Sequence, residues 1–205
     1  MQKPVETKEQ IEAKAKLGDP EAAFNLGMIY LQGDGVPKNI EEGRKWLELA
    51  AQKSYAKAQF NLGVMYYQGT DGVKKDLDKA KDWFTKAAQN ADVMGAFNLG
   101  VMFYRGEGGV QSFPKAKDLF EQAAVSGYGD SAYNIGVMYA KGEGVTRSSI
   151  DAYAWFTIAY AQGNKKAGEV VQGLKTRLSP DDLKKAQAQA LSLAKDIQDK
   201  AAGKK

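Results

Sequence analysis

Four copies of one tripeptide stand at nearly constant spacing in this chain of 205 residues: Asn25-Leu26-Gly27, Asn61-Leu62-Gly63, Asn98-Leu99-Gly100 and Asn134-Ile135-Gly136, at intervals of 36, 37 and 36. A second marker, Trp46, Trp83, Leu119 and Trp155, follows at intervals of 37, 36 and 36. Two anchors in phase over four copies mean a physical repeat. A period in this range implies stacked supersecondary units, none of which buries its apolar face alone.

Each unit reads as two helices. The first starts with Asp19 as N-cap and Pro20 at the first helical position, where a missing N–H costs nothing. It stops at a glycine, Gly33, Gly69, Gly106 or Gly142. A turn such as Asp34-Gly35-Val36 or Glu143-Gly144-Val145 leads to a second helix, illustrated by Ile40 to Gln52, which carries Trp46 and Ala50-Ala51. In copies two and three the turn is one residue longer, at Thr70-Asp71-Gly72 and Glu107-Gly108-Gly109. The first helix has two stripes at helical spacing. Ala22, Leu26 and Tyr30, with their counterparts in each copy, are expected against the second helix. Phe24-Met28-Gln32, Phe60-Val64-Gln68, Phe97-Val101-Arg105 and Tyr133-Val137-Lys141 lie about 100° away, against a neighbour or a ligand.

The fold class expected is therefore all-α, a solenoid of four helix-turn-helix repeats at 19–54, 55–91, 92–127 and 128–163. Residues 1–18 supply an N-terminal capping helix, with Thr7 and Gln10 as a capping box and a stop at Gly18. Residues 164–205 supply C-terminal capping helices and a basic tail: Asn164 to Leu178 as a further first helix, then a polar helix from Ser179-Pro180 to about Lys200, with a wetter outer face.

Composition narrows the chemistry. There is no histidine and no cysteine, which removes imidazole proton transfer, thiolate chemistry, disulfides and Cys/His metal sites. The acidic turn residues Asp34, Asp71, Glu107 and Glu143 recur singly rather than in the alternation of a calcium loop. No cofactor, no metal and no catalytic residue are expected. The net charge of +4 is unevenly placed: residues 1–54 carry 8 basic and 9 acidic side chains, residues 55–163 carry 11 and 11, and residues 164–205 carry 10 and 5. Electroneutral repeats argue against nucleic acid as a partner. No apolar run approaches the ~18 residues of a membrane span, so no integral membrane segment is expected. The start, Met1-Gln2-Lys3-Pro4, can be a natural cytoplasmic start or a cloning methionine before the mature end of an exported or periplasmic protein; the second is preferred.

The motif Ala58, Leu62-Gly63, Tyr66, Gly69, Gly72-Val73, Lys79-Ala80, Trp83 and Ala87-Ala88 resembles that of the Sel1-like repeat proteins, relatives of the tetratricopeptide repeats. The resemblance implies a right-handed superhelix with the first helices on its concave side, and a role in binding other proteins. Some relatives resemble immunity proteins that sit beside secreted phospholipases, so a bacterial inhibitor of an effector enzyme is the alternative to a scaffold or adaptor.

Two sets of residues are candidates for a protein- or peptide-binding groove. The Asn ladder (Asn61, Asn98 and Asn134, with Asn25) can hold an extended backbone, since an amide donates and accepts together. Equally, each Asn can satisfy a carbonyl of the neighbouring unit. Positions that differ between copies point to a particular partner: Tyr67 and Tyr104 as aromatic contacts, Gln68 as a neutral position, and Arg105 and Lys141 as receivers of a partner's acidic groups. Phe60, Val64, Phe97 and Val101 complete the expected groove lining.

Overall fold

The computed structural model describes residues 6–70 and 72–203. The start of the chain, the turn carboxylate Asp71 and the last two lysines lie outside the described residues. Among those described, the chain is all helical, a repeat array with capping helices: α1 (Lys8–Lys16), α2 (Pro20–Gln32), α3 (Ile40–Gln52), α4 (Ala56–Gln68), α5 (Leu77–Gln89), α6 (Val93–Arg105), α7 (Phe113–Val125), α8 (Gly129–Lys141), α9 (Ser149–Ala161), α10 (Lys165–Arg177) and α11 (Pro180–Ala201). By internal packing the chain divides into two compact units, residues 1–99 and 100–205.

Local chemistry sets the helix ends. Thr7 and Gln10 form the reciprocal capping box of α1. Asp19, Asn39, Asp76, Ser148, Asn164 and Ser179 each accept a backbone N–H in the first turn that follows, which satisfies a donor the helix leaves unpaired. First helices close where Gly33, Gly69 and Gly142 turn left-handed and donate to the carbonyl four residues back.

Within each repeat, the leucine or isoleucine of the tripeptide is buried, and the glycine after it brings the helices together. The side chain that enters this gap is the one after the Trp marker: Leu47, Phe84, Phe120 or Phe156. A Cβ on Gly63 would stand 2.5 Å from the Phe84 ring, and one on Gly100 or Gly136 would stand 2.8 Å from Phe120 or Phe156. The first repeat solves the same crossing differently. Leu47 takes the aromatic place, and Gly43 stands where Ala80, Ala116 and Ala152 stand elsewhere. A Cβ on Gly43 would meet the Leu31 side chain at 2.6 Å and the Gly27 carbonyl at 2.9 Å.

Glutamines, not the repeated asparagines, reach the carbonyls of neighbouring repeats. Gln59 is buried and its Nε2 donates to the Ala51 carbonyl at 3.0 Å. Asn90 Nδ2 then donates to Gln59 Oε1 at 2.8 Å. In the second unit, Gln162 Nε2 donates to the Ala124 carbonyl at 2.8 Å.

The corner closing each helix pair is left-handed throughout, yet its residue changes. Gly127 and Gly163 hold φ of 86° and 94°, whereas Ser54 and Ala91 hold 60° and 61° with a Cβ in place. Left-handed backbone costs a non-glycine residue about 1–2 kcal/mol.

The C-terminal helices differ from a simple wet end. α10 packs on α9 as a following helix would, but α11 lies along α9 and reaches α7. Ala186 and Ala190 are buried on its inner edge, and Leu193 and Ile197 line a cavity with Trp155. Trp155 is accordingly buried, at 7% exposure. Trp46 and Trp83, at the same place in their repeats, are only partly buried.

Candidate functional site

Each first helix buries one stripe and leaves a second in partial contact with water. In the first unit, Phe60, Asn61, Val64 and Tyr67 on α4 are partly buried and Gln68 is exposed; Phe97 and Asn98 on α6 are partly buried. Phe60 lies with its ring centroid 6.0 Å from that of Phe84, and Tyr67 lies 6.3 Å from it. These rings therefore lean on the aromatic that fills the helix crossing, which fixes their position. The Lys75 ammonium stands 5.7 Å over the Tyr67 ring.

Two of the asparagines bond within their own helices rather than to a neighbouring repeat. Asn61 Nδ2 donates to the Lys57 carbonyl at 2.7 Å and Asn98 Nδ2 to the Met94 carbonyl at 2.8 Å, each one turn back on its own helix. This back-bonding is a local option open to a short amide.

In the second unit, Val101, Tyr104 and Asn134 are partly buried, and Arg105 and Lys141 are exposed. Tyr104 is tied down from several sides. Its ring meets Phe113 edge-on at 5.5 Å and 67°, and its hydroxyl donates to Glu143 Oε2. Lys141 Nζ donates to the same hydroxyl at 3.4 Å. Burial, and then the bond to Glu143, pushes the Tyr104 hydroxyl above its ordinary value. The Lys141 ammonium is also raised, by Tyr104 and then by the charge of Glu143.

Arg105 and Lys141, expected to receive a partner's carboxylates, already face carboxylates of this chain: Glu107 at 3.6 Å and Glu143 at 3.5 Å. The turn acids were visible in the sequence as repeated single residues; their pairing was not, because it depends on how the turn folds back beside the helix. Phe113, at the start of α7, is the aromatic that supports Tyr104. Among the described residues, no cluster of three acidic side chains suitable for a metal ion occurs, and no helix is long and apolar enough to cross a membrane.

Antiparallel helix pairs of constant length, joined by glycine turns and capped at both ends, define an α-helical repeat protein. The chain belongs to the Sel1 repeat family, whose profile matches residues 20–55, 56–92, 93–128 and 129–164. It is similar to a Sel1 repeat protein of Oxalobacter formigenes of known structure, with 29% identity, a TM-score of 0.74, and coverage of 80% of this chain and 70% of that one. A protective antigen of uropathogenic Escherichia coli with the same fold is 23% identical, with a TM-score of 0.58; the match covers 95% of this chain and 49% of the antigen. The immunity protein Pa5087 of Pseudomonas aeruginosa shares the fold at 17% identity and a TM-score of 0.50, over 93% of this chain and 74% of that one. Among curated proteins, an F-box protein of Arabidopsis thaliana is 38% identical over 55 residues, which is 27% of this chain and 15% of the relative.

Proposed function

We propose that this chain is a non-catalytic protein-interaction scaffold that holds a partner protein or peptide against the outer stripes of its first helices. The observation that carries this is the repeated half-exposed apolar stripe. Phe24 and Met28, Phe60 and Val64, Phe97 and Val101, and Tyr133 and Val137 all keep partial access to water, while Leu26, Leu62, Leu99 and Ile135 beside them are buried. Within each unit, apolar area held on helices suits a partner laid against it, because little conformational freedom of the helices is lost when it binds. The asparagines assist in this reading: Asn61 and Asn98 are held by a local bond that a partner's backbone can replace at small cost.

The test places a photo-crosslinking residue at Val64 or Val101 on first helices and, as controls, at Gln52 or Gln89 on second helices. Crosslinks to one and the same partner from Val64 and Val101, and none from the controls, are expected. Crosslinks only from Gln52 and Gln89 would move the interface to the second helices. The alternative role, an immunity-type inhibitor, uses the same fold as the Pseudomonas protein. A stable one-to-one complex in which the partner is an enzyme losing its activity distinguishes it from a scaffold.

A further inference from the structure

Three of the four repeats place a basic residue of the preceding helix beside the aromatic that ends their own first helix. Lys8 lies over Tyr30, Arg44 lies against the Tyr66 hydroxyl, and Lys117 faces Tyr139. One cation at this place belongs to the repeat. The second repeat adds three more. Lys74 and Lys75 precede the cap of α5 and Lys79 sits in its first turn, where other copies have Pro37-Lys38 and Glu42, Val110-Gln111 and Lys115, or Thr146-Arg147 and Asp151. Together with Arg44 and Tyr66 they line an open cleft of about 560 Å³ in the first unit, with Asp76 as its carboxylate.

The charges in this cleft are held in place. Lys79 Nζ stands 5.2 Å over the Tyr66 ring and 3.6 Å from Asp76 Oδ2, and Lys75 stands over Tyr67. Asp76 is committed to starting α5: its Oδ1 accepts the Lys79 N–H at 3.0 Å. Arg44 is braced by Glu48 one turn along α3. Among the described residues, four cations thus line a cleft with one carboxylate, and that carboxylate is occupied. Packing does not require this excess, since the other repeats fold without it.

We infer that this cleft is a binding site for an acidic peptide segment, whose side-chain carboxylates meet Arg44, Lys74, Lys75 and Lys79. A compact phosphate is the poorer fit. The backbone N–H groups at a helix start are what commonly hold phosphate, and at α5 the Asp76 carboxylate takes that place and repels a dianion. Cations brought from α3, the turn and α5 around a wide cleft suit several carboxylates spaced along a chain. The inference rests on reading the protein as a partner-binding scaffold, and it adds a second place for a partner's acidic groups beside Arg105 and Lys141.

The test titrates the full chain with a capped hexaglutamate peptide and, separately, with tripolyphosphate, and follows backbone amide signals by NMR. The peptide is expected to shift the signals of residues 72–79. The variant Lys74→Ala/Lys75→Ala/Lys79→Ala is expected to bind it about tenfold more weakly, the effect of losing several charge contacts on the binding free energy. The control Lys184→Ala/Lys195→Ala/Lys200→Ala removes the same charge from α11 and should bind as the unaltered chain does. Circular dichroism verifies that both variants stay folded. An equal loss in the control, shifts absent from 72–79, or tripolyphosphate binding there without peptide binding would each overturn the site. Loss of this site with the Val64 and Val101 crosslinks intact rejects this inference alone; peptide binding with those crosslinks absent rejects the first-helix interface alone.

Discussion

The two compact units are built from one repeat and spend it differently. On the first, the outer face of the second helices leaves Trp46 and Trp83 partly open, and its corners at Ser54 and Ala91 carry side chains in a left-handed conformation. On the second, α11 covers Trp155, and the corners are Gly127 and Gly163. The turn charges differ as well: cations outnumber the described carboxylates lining the second repeat's cleft, whereas Arg105 and Lys141 each face one turn carboxylate. The repeat motif therefore guarantees a helix pair, and the surface of that pair is decided by residues outside the motif.

The largest expected effect comes from ending the chain at Ser179. Removing α11 uncovers Trp155 and loses the burial of Ala186, Ala190 and their apolar neighbours, roughly 5 kcal/mol at ordinary burial values. Hydrogen exchange should show α9 losing protection; unchanged protection in α9 would mean that α11 contributes little to the second unit. Next, Trp155→Ala should cost about 3–5 kcal/mol, as expected for a buried large side chain. Trp83→Ala should cost less than half of that, because its ring already meets water. Denaturant midpoints compare the two, and equal costs would remove the distinction between a covered and an open outer face.

A smaller pair of changes examines the corners. Ala91→Gly should stabilise by about 0.5–1 kcal/mol, the relief of a left-handed alanine less the entropy of a freer unfolded chain. Gly127→Ala should destabilise by about 1 kcal/mol, since open space surrounds that position and only its φ is at issue. Thermal melts with the same sign for both would break the comparison. The smallest effect is at Tyr104. Tyr104→Phe should cost about 1 kcal/mol for the lost bond to Glu143. Because the folded hydroxyl titrates above its unfolded value of about 10, the contribution is complete below that pH and fades as pH rises through the folded value. The gap between the melts of the two proteins should narrow from pH 8 to pH 11; a constant gap contradicts this account.

The helices were legible because their signals are local. Asp19, Thr7, Gly33 and the markers at Trp46 and Trp83 fix starts, stops and period without reference to anything distant. Contacts across the chain were less so. The inner edge of α11 is spelled with Ala186 and Ala190, too weakly apolar to announce which face it would cover. The fold-back of Asn61 and Asn98 turns on side-chain torsions that no spacing records. Gly43 was readable in principle, from its register with Ala80, Ala116 and Ala152, yet its meaning depends on Leu31 filling the opposite side. The cationic cleft joins Arg44 to a turn some thirty residues later, and only the packing of α3 against α4 makes them neighbours.

The cover over Trp155 also bears on how such a chain can change length through evolution. Helices α2 to α10 are each 13 residues long, so whole repeats can be duplicated or lost as cassettes while the turns absorb single-residue differences. The last cassette differs in one contact: Trp155 on its second helix lies beneath α11. A repeat inserted before α9 leaves that contact in place, whereas one inserted between α9 and α11 takes Trp155 away from the helix that covers it.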